Sequence, residues 1–247
     1  MRVNYDSVAP TYDEHRGARG PAFDTRTLAE LARECEARTV LELGAGTGGK
    51  TSGFLAEYPC RIIGLDLSAG MLAKARAKGL GADWIQGSAA HIPLADASVD
   101  FVFGVYVLHH LDGLDAPFRE CARVLGKGRA VFITAPTDFI ERHPMNAYFP
   151  SFAKVDLARF QSSEAIREAL RRAGFRDICA KRMVAAPRPI DRAFVERVAN
   201  KFISTYLLIP EDEFTAGLAR LRADVREKGR LNVPLVWEAL TVWGSIP

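Results

Sequence analysis

A glycine-rich stretch that directly follows a short apolar segment carries the clearest chemical signal in the chain. It runs from Glu42 to Thr51 and reads ELGAGTGGKT, just after Val40-Leu41. Glycine adopts positive φ angles and lets the backbone approach a ligand closely, so this loop is expected to bind a polar small molecule. Asp66 lies about twenty residues further on, a spacing at which a carboxylate can accept hydrogen bonds from a ribose diol.

The loop satisfies more than one ligand motif. Gly44, Gly46 and Gly49 match the dinucleotide fingerprint G-x-G-x-x-G, and the stretch from Gly44 to Thr51 matches the P-loop pattern G-x-x-x-x-G-K-T. A carboxylate at Glu42 would repel a diphosphate or triphosphate in a partly desolvated site, whereas it would attract an ammonium group. Glu42 therefore favours a cationic amino-acid ligand. A P-loop phosphotransferase and a nicotinamide-dependent oxidoreductase remain as alternatives.

The order of motifs along the chain resembles that of the class I S-adenosylmethionine-dependent methyltransferases, in particular the ubiquinone/menaquinone-type group. The resemblance covers roughly the first two thirds of the chain. The matching segments are Tyr5 to Asp13, Glu42 to Gly48, Ile62 to Ser68 with Met71-Leu72, Gly87 to Ala89 with Ile92 to Leu94, Ser98 to Asp100, and Val105 to His110.

The resemblance implies that S-adenosyl-L-methionine is the cofactor and S-adenosyl-L-homocysteine the product. It places Glu42 against the ammonium group of the cofactor and Asp66 against both ribose hydroxyls, under an N-terminal segment that folds over them. Ser88 departs from the family pattern, which usually has an acid there to accept from the adenine amino group. The expected cofactor contacts are Tyr5, Tyr12, Arg16, Glu42, Gly44, Ala45, Gly46, Gly48, Asp66, Leu67, Ser88, Ala89 and Val105.

Two adjacent histidines, His109 and His110, are the candidate catalytic residues. They follow the fourth expected strand, where substrate should meet cofactor, and histidine accepts a proton near neutral pH. Consecutive side chains of an extended segment point to opposite sides, so one histidine is expected to face the pocket, and His110 is preferred. Local packing of the pair is the competing interpretation. A protein that binds the cofactor without transferring a methyl group is also an open alternative.

Segments rich in β-branched residues alternate with amphipathic helical patterns, which is typical of an α/β fold. We predict a Rossmann-like, seven-stranded, mainly parallel sheet with helices on both faces. Strands are predicted at Thr39 to Leu43, Arg61 to Leu65, Asp83 to Gln86, Asp100 to Val105, Arg129 to Thr134, Asp177 to Val184 and Val236 to Trp243. Helices are predicted at Phe23 to Cys35, Lys50 to Glu57, Ala69 to Lys78, Leu114 to Leu125 and Ser163 to Ala173, and Lys50 is expected merely to begin its helix.

The chain is expected to form one methyltransferase domain over residues 1–247. Within it, residues 1–20 are predicted to form a lid, 21–190 the cofactor-binding core, and 231–247 the final strand. Residues 191–230 break the alternation with two helical patterns that end at Pro210 and Gly229, so they are predicted to form an α-helical cap inserted before the last strand.

Composition and motif content narrow the class of function. The formal net charge is only +3, and the arginine clusters have helical spacing, so a nucleic-acid partner is disfavoured and a small-molecule substrate is expected. The four cysteines show no C-x-x-C pair, so no metal site is predicted. No apolar stretch reaches the roughly 20 residues that a membrane helix needs, and the N-terminus lacks a secretory signal, so a cytoplasmic protein is expected.

Overall fold

The computed structural model describes residues 3–16 and 23–247, and it leaves out the side chains of residues 15, 16 and 23. Its strands are β1 (Thr39–Leu43), β2 (Arg61–Asp66), β3 (Asp83–Gln86), β4 (Phe101–Val105), β5 (Gly128–Thr134), β6 (Arg176–Val184) and β7 (Glu238–Ile246). They form one seven-stranded sheet in the order β3-β2-β1-β4-β5-β7-β6. The predicted fold class is confirmed, and every predicted strand is present.

Strands β1 to β5 are parallel, and only β7 runs antiparallel to its neighbours β5 and β6. The chain order reverses between β1 and β4, which pair directly, with Leu41 opposite Val102. In open parallel sheets, ligands bind at the carboxyl ends of the strands beside such a reversal. The carboxyl ends of β1, β2 and β4 therefore define the edge of the sheet at which a site is expected.

The α-helices are α1 (Tyr5–Val8), α2 (Tyr12–Arg16), α3 (Phe23–Glu34), α4 (Gly49–Glu57), α5 (Ala69–Ala77), α6 (Asp115–Leu125), α7 (Thr137–Glu141), α8 (Phe152–Leu157), α9 (Ser163–Arg172), α10 (Arg192–Ala199), α11 (Ser204–Leu208) and α12 (Glu211–Lys228). Short 3-10 helices lie at Ala9–Thr11, Leu108–His110 and Pro144–Ala147. No helix among the described residues is both long enough and apolar enough to span a membrane.

The sheet is buried on both faces because alternate residues of each strand point to opposite sides. On one face, Leu41 and Phe132 pack in a cluster with residues of α6 and α9, such as Phe118 and Leu170. On the other face, Phe101 and Phe103 pack with residues of α3 and α4. These two clusters hold the strand ends in fixed positions relative to one another.

A third apolar cluster is formed mainly by α7, α8 and the helices between β6 and β7. The helical insertion before the last strand is confirmed, although it contains three helices, because α11 is separate from α10. The segment from Pro136 to Leu157 also joins this layer. Its helices were not predicted because four to six residues are too few to show a helical period.

Candidate active site

A cavity of about 1030 Å³ lies at the carboxyl edge of β1, β2 and β4, between the N-terminal segment and the third apolar cluster. Ligand pockets in proteins typically measure about 300 to 1000 Å³, so this cavity lies at the upper end of that range and has room for a cofactor-sized molecule. All predicted site residues with described side chains, and the glycines among them, border the cavity. The side chain of Arg16 lies outside the described residues.

The glycine loop between β1 and α4 turns sharply at three positions. Gly44, Gly46 and Gly48 have φ angles of 68°, 54° and 77°, a region that non-glycine residues rarely adopt. Gly44 is also constrained by space, because a Cβ atom there would lie 2.5 Å from Cγ2 of Val107. The amides of Gly44 and Ala45 both donate to the carbonyl of Leu65, which ties the loop to β2.

Glu42 is a buried carboxyl group at the carboxyl end of β1, with only 2% of its surface exposed. The hydroxyl of Thr51, in α4, donates a hydrogen bond to its Oε2. Burial raises the pKa of Glu42 to about 8, although the Thr51 hydroxyl and the charge of Lys50 both oppose the shift. A cationic group placed in the cavity would favour the ionised form of this carboxyl group.

Asp66 ends β2 and organises the backbone around the loop. Its Oδ2 accepts from the amide of Gly46 at 2.8 Å, and its Oδ1 accepts from the amide of Ser68 at 2.9 Å. Each carboxylate oxygen has a second lone-pair direction, so both can also accept from a ligand diol. Burial raises the pKa of Asp66, while these amide hydrogen bonds act in the opposite direction.

The residues expected beside the adenine lie at the rim of the cavity. Leu67 borders the cavity with 67% of its surface exposed, so its apolar side chain is open to contact with a ligand. Ser88 Oγ accepts from the amide of Ala90 at 3.2 Å. Its hydroxyl proton can still be donated, so Ser88 differs chemically from the acid usual at this position.

The N-terminal segment is held against the glycine loop and α5 by carboxylates that sequence reasoning missed. Asp6 Oδ1 accepts from Ser68 Oγ at 2.6 Å and from the amide of Gly70 at 2.9 Å. Asp13 accepts from Thr47 Oγ1 at 2.6 Å and forms an ion pair with Lys78 at 2.8 Å. The repeated Tyr-Asp pairs, seven residues apart, were the available signal.

The two histidines do not follow the predicted extended geometry. Leu108–His110 forms a 3-10 helix, in which the amide of His110 donates to the carbonyl of Val107, so both side chains border the cavity. The expectation that only one would face it was wrong, because alternation to opposite sides holds only in a strand.

The two histidines differ in their contacts instead. His109 stacks on Phe160 at 4.0 Å, whereas Nε2 of His110 lies 2.8 Å from the phenol oxygen of Tyr5.

Lys50 does more than begin α4. Its Nζ donates to Oδ2 of Asp24 at 2.7 Å, and Asp24, in α3, is fully buried. The expectation that Lys50 has no other role was wrong, because a contact between residues 26 positions apart cannot be deduced from a loop motif. The ion pair joins α3 to α4 beside Glu42.

The part of the cavity away from the glycine loop is aromatic. Tyr106, directly after β4, has a φ angle of 53°, a strained conformation for a non-glycine residue. Its hydroxyl oxygen accepts from Nε1 of Trp237 at 2.7 Å. Phe139, Phe152 and Phe160 also border this part. The strained turn thus carries the chain from β4 into an aromatic wall.

Comparison with known proteins agrees with this geometry. The Methyltransferase domain family model matches residues 41–133. A malonyl-[acyl-carrier protein] O-methyltransferase of Enterobacter lignolyticus is 31% identical over 184 residues, which are 74% of this chain and 71% of that protein. The chain belongs to the class I S-adenosylmethionine-dependent methyltransferases. It is also 30% identical over 174 residues to the biotin biosynthesis bifunctional protein BioHC of Cellvibrio japonicus, covering 69% of this chain but only 34% of that protein.

Solved structures of methyltransferases share the fold. A putative methyltransferase from an antibiotic biosynthesis pathway of Anabaena variabilis superposes with a TM-score of 0.76 and 20% identity, covering 95% of this chain and 100% of that one. Phosphoethanolamine N-methyltransferase 2 of Haemonchus contortus, in complex with S-adenosyl-L-methionine, has a TM-score of 0.61 and 16% identity, covering 98% and 57%.

The methyltransferase is therefore an S-adenosyl-L-methionine-dependent enzyme. The residues of the cavity fit this cofactor, because a buried carboxyl group, a close-packed glycine loop and a doubly accepting aspartate surround one space. Family membership decides against the P-loop and dinucleotide interpretations of the same loop. The P-loop lysine, Lys50, also has its ammonium group engaged by Asp24.

Proposed function

We propose that the enzyme methylates a neutral oxygen or nitrogen nucleophile on a small, largely apolar, ring-bearing molecule, with His110 accepting the proton. The observation that carries this proposal is the 2.8 Å hydrogen-bond contact between Nε2 of His110 and the hydroxyl of Tyr5 at the cavity. Histidine and tyrosine in contact can accept a proton and pass it on. No such pair is needed to methylate a group that has already lost its proton.

In this proposal the cofactor lies along the glycine loop. Glu42 binds its ammonium group, Asp66 its ribose hydroxyls, and Leu67 and Ser88, with Ala89, border its adenine. Gly44, Ala45, Gly46, Gly48 and Val105 supply the backbone around its methionine part, and Tyr5, Tyr12 and Arg16 cover it from the N-terminal segment. The burial of Glu42 and the two amide contacts of Asp66 support these roles.

When bound, S-adenosyl-L-methionine supplies a methyl group that is already activated by a positively charged sulfur. The protein has to hold the nucleophile in line with that methyl group and exclude water. The N-terminal segment closes one side of the cavity, and the aromatic wall closes another. We assign residues 1–20, of which 1, 2 and 17–20 lie outside the described residues, as a lid, and residues 191–230 as a cap that contributes to substrate specificity.

The charges around the cavity support a neutral substrate. The lysines that border it each form an ion pair within the protein: Lys50 with Asp24, Lys78 with Asp13, and Lys201 with Glu211. Among the described residues that border the cavity there is no arginine. An anionic substrate that used one of these lysines would therefore have to compete with a carboxylate of the protein, which disfavours a charged nucleophile beside them.

A second candidate is methylation of a malonyl thioester carboxylate on an acyl carrier protein. Relatives that are named malonyl-[acyl-carrier protein] O-methyltransferases favour it. A carboxylate at neutral pH has no proton to lose, so this reaction needs no proton acceptor at His110. The requirement for His110 therefore separates the two candidates.

The test is transfer of a radiolabelled methyl group from S-adenosyl-L-methionine to two sets of acceptors, a panel of uncharged aromatic alcohols and malonyl-[acyl-carrier protein]. The proposal predicts product with members of the panel and a strong loss of that product in His110→Gln. Product only with malonyl-[acyl-carrier protein], at a rate that His110→Gln leaves unchanged, would replace the proposal with the second candidate.

A further inference from the structure

His143 is a buried histidine at the edge of the cavity that the proposed chemistry does not use. It lies between α7 and the 3-10 helix Pro144–Ala147, and only 5% of its surface is exposed. Its Nδ1 accepts a hydrogen bond from the amide of Met145 at 3.3 Å. Because Nδ1 is the acceptor, the neutral ring carries its proton on Nε2.

The other ring nitrogen of His143, Nε2, is a buried donor. Nε2 has no hydrogen-bond partner among the residues that the structure describes. The ring stacks on Phe152 at 4.8 Å and meets Phe139 and Trp237 edge-on at 5.2 and 6.3 Å. A donor enclosed in this way destabilises a protein unless a ligand or a water molecule accepts from it.

The aromatic surroundings limit what that ligand can be. Burial lowers the pKa of His143 to about 4, so the ring is uncharged at neutral pH and offers no charge to an anion. Phe139, Phe152 and Trp237 border the same cavity and present ring surfaces. A planar, apolar group with one uncharged acceptor atom satisfies both the rings and the donor.

The position of His143 relates it to the reaction site. The rings of Tyr106 and His143 both lie next to Trp237, at 6.2 and 6.3 Å between centroids. Tyr106 directly follows β4 and precedes the 3-10 helix that carries His110. The indole of Trp237 thus lies between the end of β4 and His143.

We infer that the Nε2 proton of His143 is donated to a carbonyl, ether or ring-nitrogen acceptor on an aromatic substrate, whose nucleophilic group lies on the His110 side of Trp237. This inference rests on the proposed function and deepens it, because it names the substrate as an aromatic alcohol with a second, uncharged acceptor. His143 is then a specificity-determining residue that takes no part in the proton transfer.

Substitutions at His143 separate substrate recognition from a structural role. His143→Phe keeps an aromatic ring but removes the donor. His143→Gln can place an amide N–H near the position of Nε2. Binding of S-adenosyl-L-homocysteine to each variant reports whether the cofactor half of the site is intact.

The probes are 7-hydroxycoumarin and 2-naphthol, two bicyclic phenols of similar shape, of which only the first carries a ring carbonyl and ring oxygen. Their dissociation constants are measured by calorimetry on the complex with S-adenosyl-L-homocysteine, in a mildly acidic buffer that keeps both phenols protonated. Both probes meet the same protein, so the ratio of their affinities within one variant is insensitive to a general loss of fold.

The wild-type complex is expected to bind 7-hydroxycoumarin roughly three- to tenfold more tightly than 2-naphthol, as one neutral hydrogen bond would give. His143→Phe should bring the ratio close to one, and His143→Gln should retain part of the preference. An equal ratio in wild type and His143→Phe, or no binding of either probe to the wild-type complex, would overturn the inference. Failure of S-adenosyl-L-homocysteine itself to bind would instead contradict the proposed cofactor site.

Discussion

The phenol oxygen of Tyr5 lies 2.8 Å from Nε2 of His110, and this contact joins the N-terminal segment to the end of β4 across the cavity. The two residues are 105 positions apart in the chain. Because α1 is also held on α5 through Asp6, displacement of the N-terminal segment would break the Tyr5–His110 contact. In the proposed mechanism, covering the cofactor and completing the proton-accepting pair are thus one structural event.

Asp13→Asn should loosen the N-terminal segment. Asp13 accepts from Thr47 and pairs with Lys78. Burial raises the pKa of Asp13, but the interactions with Lys78 and Thr47 together outweigh it and hold the pKa below its ordinary value. Because the Asp13–Lys78 pair is partly exposed, its removal should have a modest effect. S-adenosyl-L-homocysteine should dissociate roughly two- to tenfold faster. Stopped-flow fluorescence measures the rate, and Glu14→Gln, an exposed neighbour on α2, is the control. Equal dissociation rates in Asp13→Asn and wild type would show that this contact does not retain the cofactor.

Cofactor affinity should depend on pH through Glu42. Burial raises its pKa to about 8, so below that pH the group must release a proton before its carboxylate can pair with the cofactor's ammonium group. Affinity for S-adenosyl-L-homocysteine is therefore expected to rise with pH from about 6 to 8, approaching tenfold per unit where one proton is released. Calorimetry in buffers of different ionisation enthalpy counts that proton.

Glu42→Gln is the matched control, since it keeps the shape of the side chain without the titration. It should bind more weakly and lose the rise of affinity between pH 6 and 8. The free energy of unfolding of the ligand-free protein gives a second readout. The pKa of Glu42 in the folded protein lies above its ordinary value of 4.5, so the contribution of Glu42 to stability falls as pH rises towards 8. A wild-type affinity that is flat over this range would show that Glu42 is already ionised without cofactor.

Lys50→Ala should destabilise the fold. It removes the cation that lies 2.7 Å from the fully buried Asp24, and breaking a buried ion pair by removing one partner costs up to about 3 to 5 kcal/mol. Because Lys50 is partly exposed, about 1 to 3 kcal/mol is expected, measured by urea unfolding. The double variant Lys50→Met/Asp24→Leu should recover part of the loss. Unchanged stability in Lys50→Ala would restore the view that Lys50 only begins α4.

Asp66→Ala should weaken binding of S-adenosyl-L-homocysteine by about 2 to 4 kcal/mol, because two ribose hydroxyls lose a charged acceptor. Part of that loss comes from the loop, since Asp66 also accepts from the amide of Gly46. Asp83→Ala, on the exposed neighbouring strand β3, is the control and should bind normally. An affinity of Asp66→Ala within about twofold of wild type would reduce Asp66 to a structural residue.

The sheet and the cavity at its carboxyl edge could be predicted because their signals are local. A buried parallel strand is a short apolar run, and the glycine loop with Asp66 follows two such runs directly. The residues expected from family resemblance border one cavity for the same reason, since the carboxyl ends of β1, β2 and β4 meet there.

Contacts between distant parts of the chain could not be predicted in this way. The partners of Tyr5, Lys50 and Trp237 are separated from them by 105, 26 and 131 positions, and no local pattern encodes such contacts. The histidine pair was misjudged because the positive φ angle of Tyr106 ends the strand and starts a 3-10 helix. His143 has no sequence signal, because its orphaned nitrogen is defined only by the rings around it.

The proposed methyl transfer depends most directly on His110 as the proton acceptor. The decisive measurement is the single-turnover rate of methyl transfer to a neutral aromatic alcohol in wild type, His110→Gln and His109→Gln, with cofactor affinity measured in parallel. His110→Gln should lower the rate by about 10²- to 10⁴-fold while leaving that affinity nearly unchanged. His109→Gln should act mainly on stability, because His109 stacks on Phe160. A wild-type rate in His110→Gln would contradict the account.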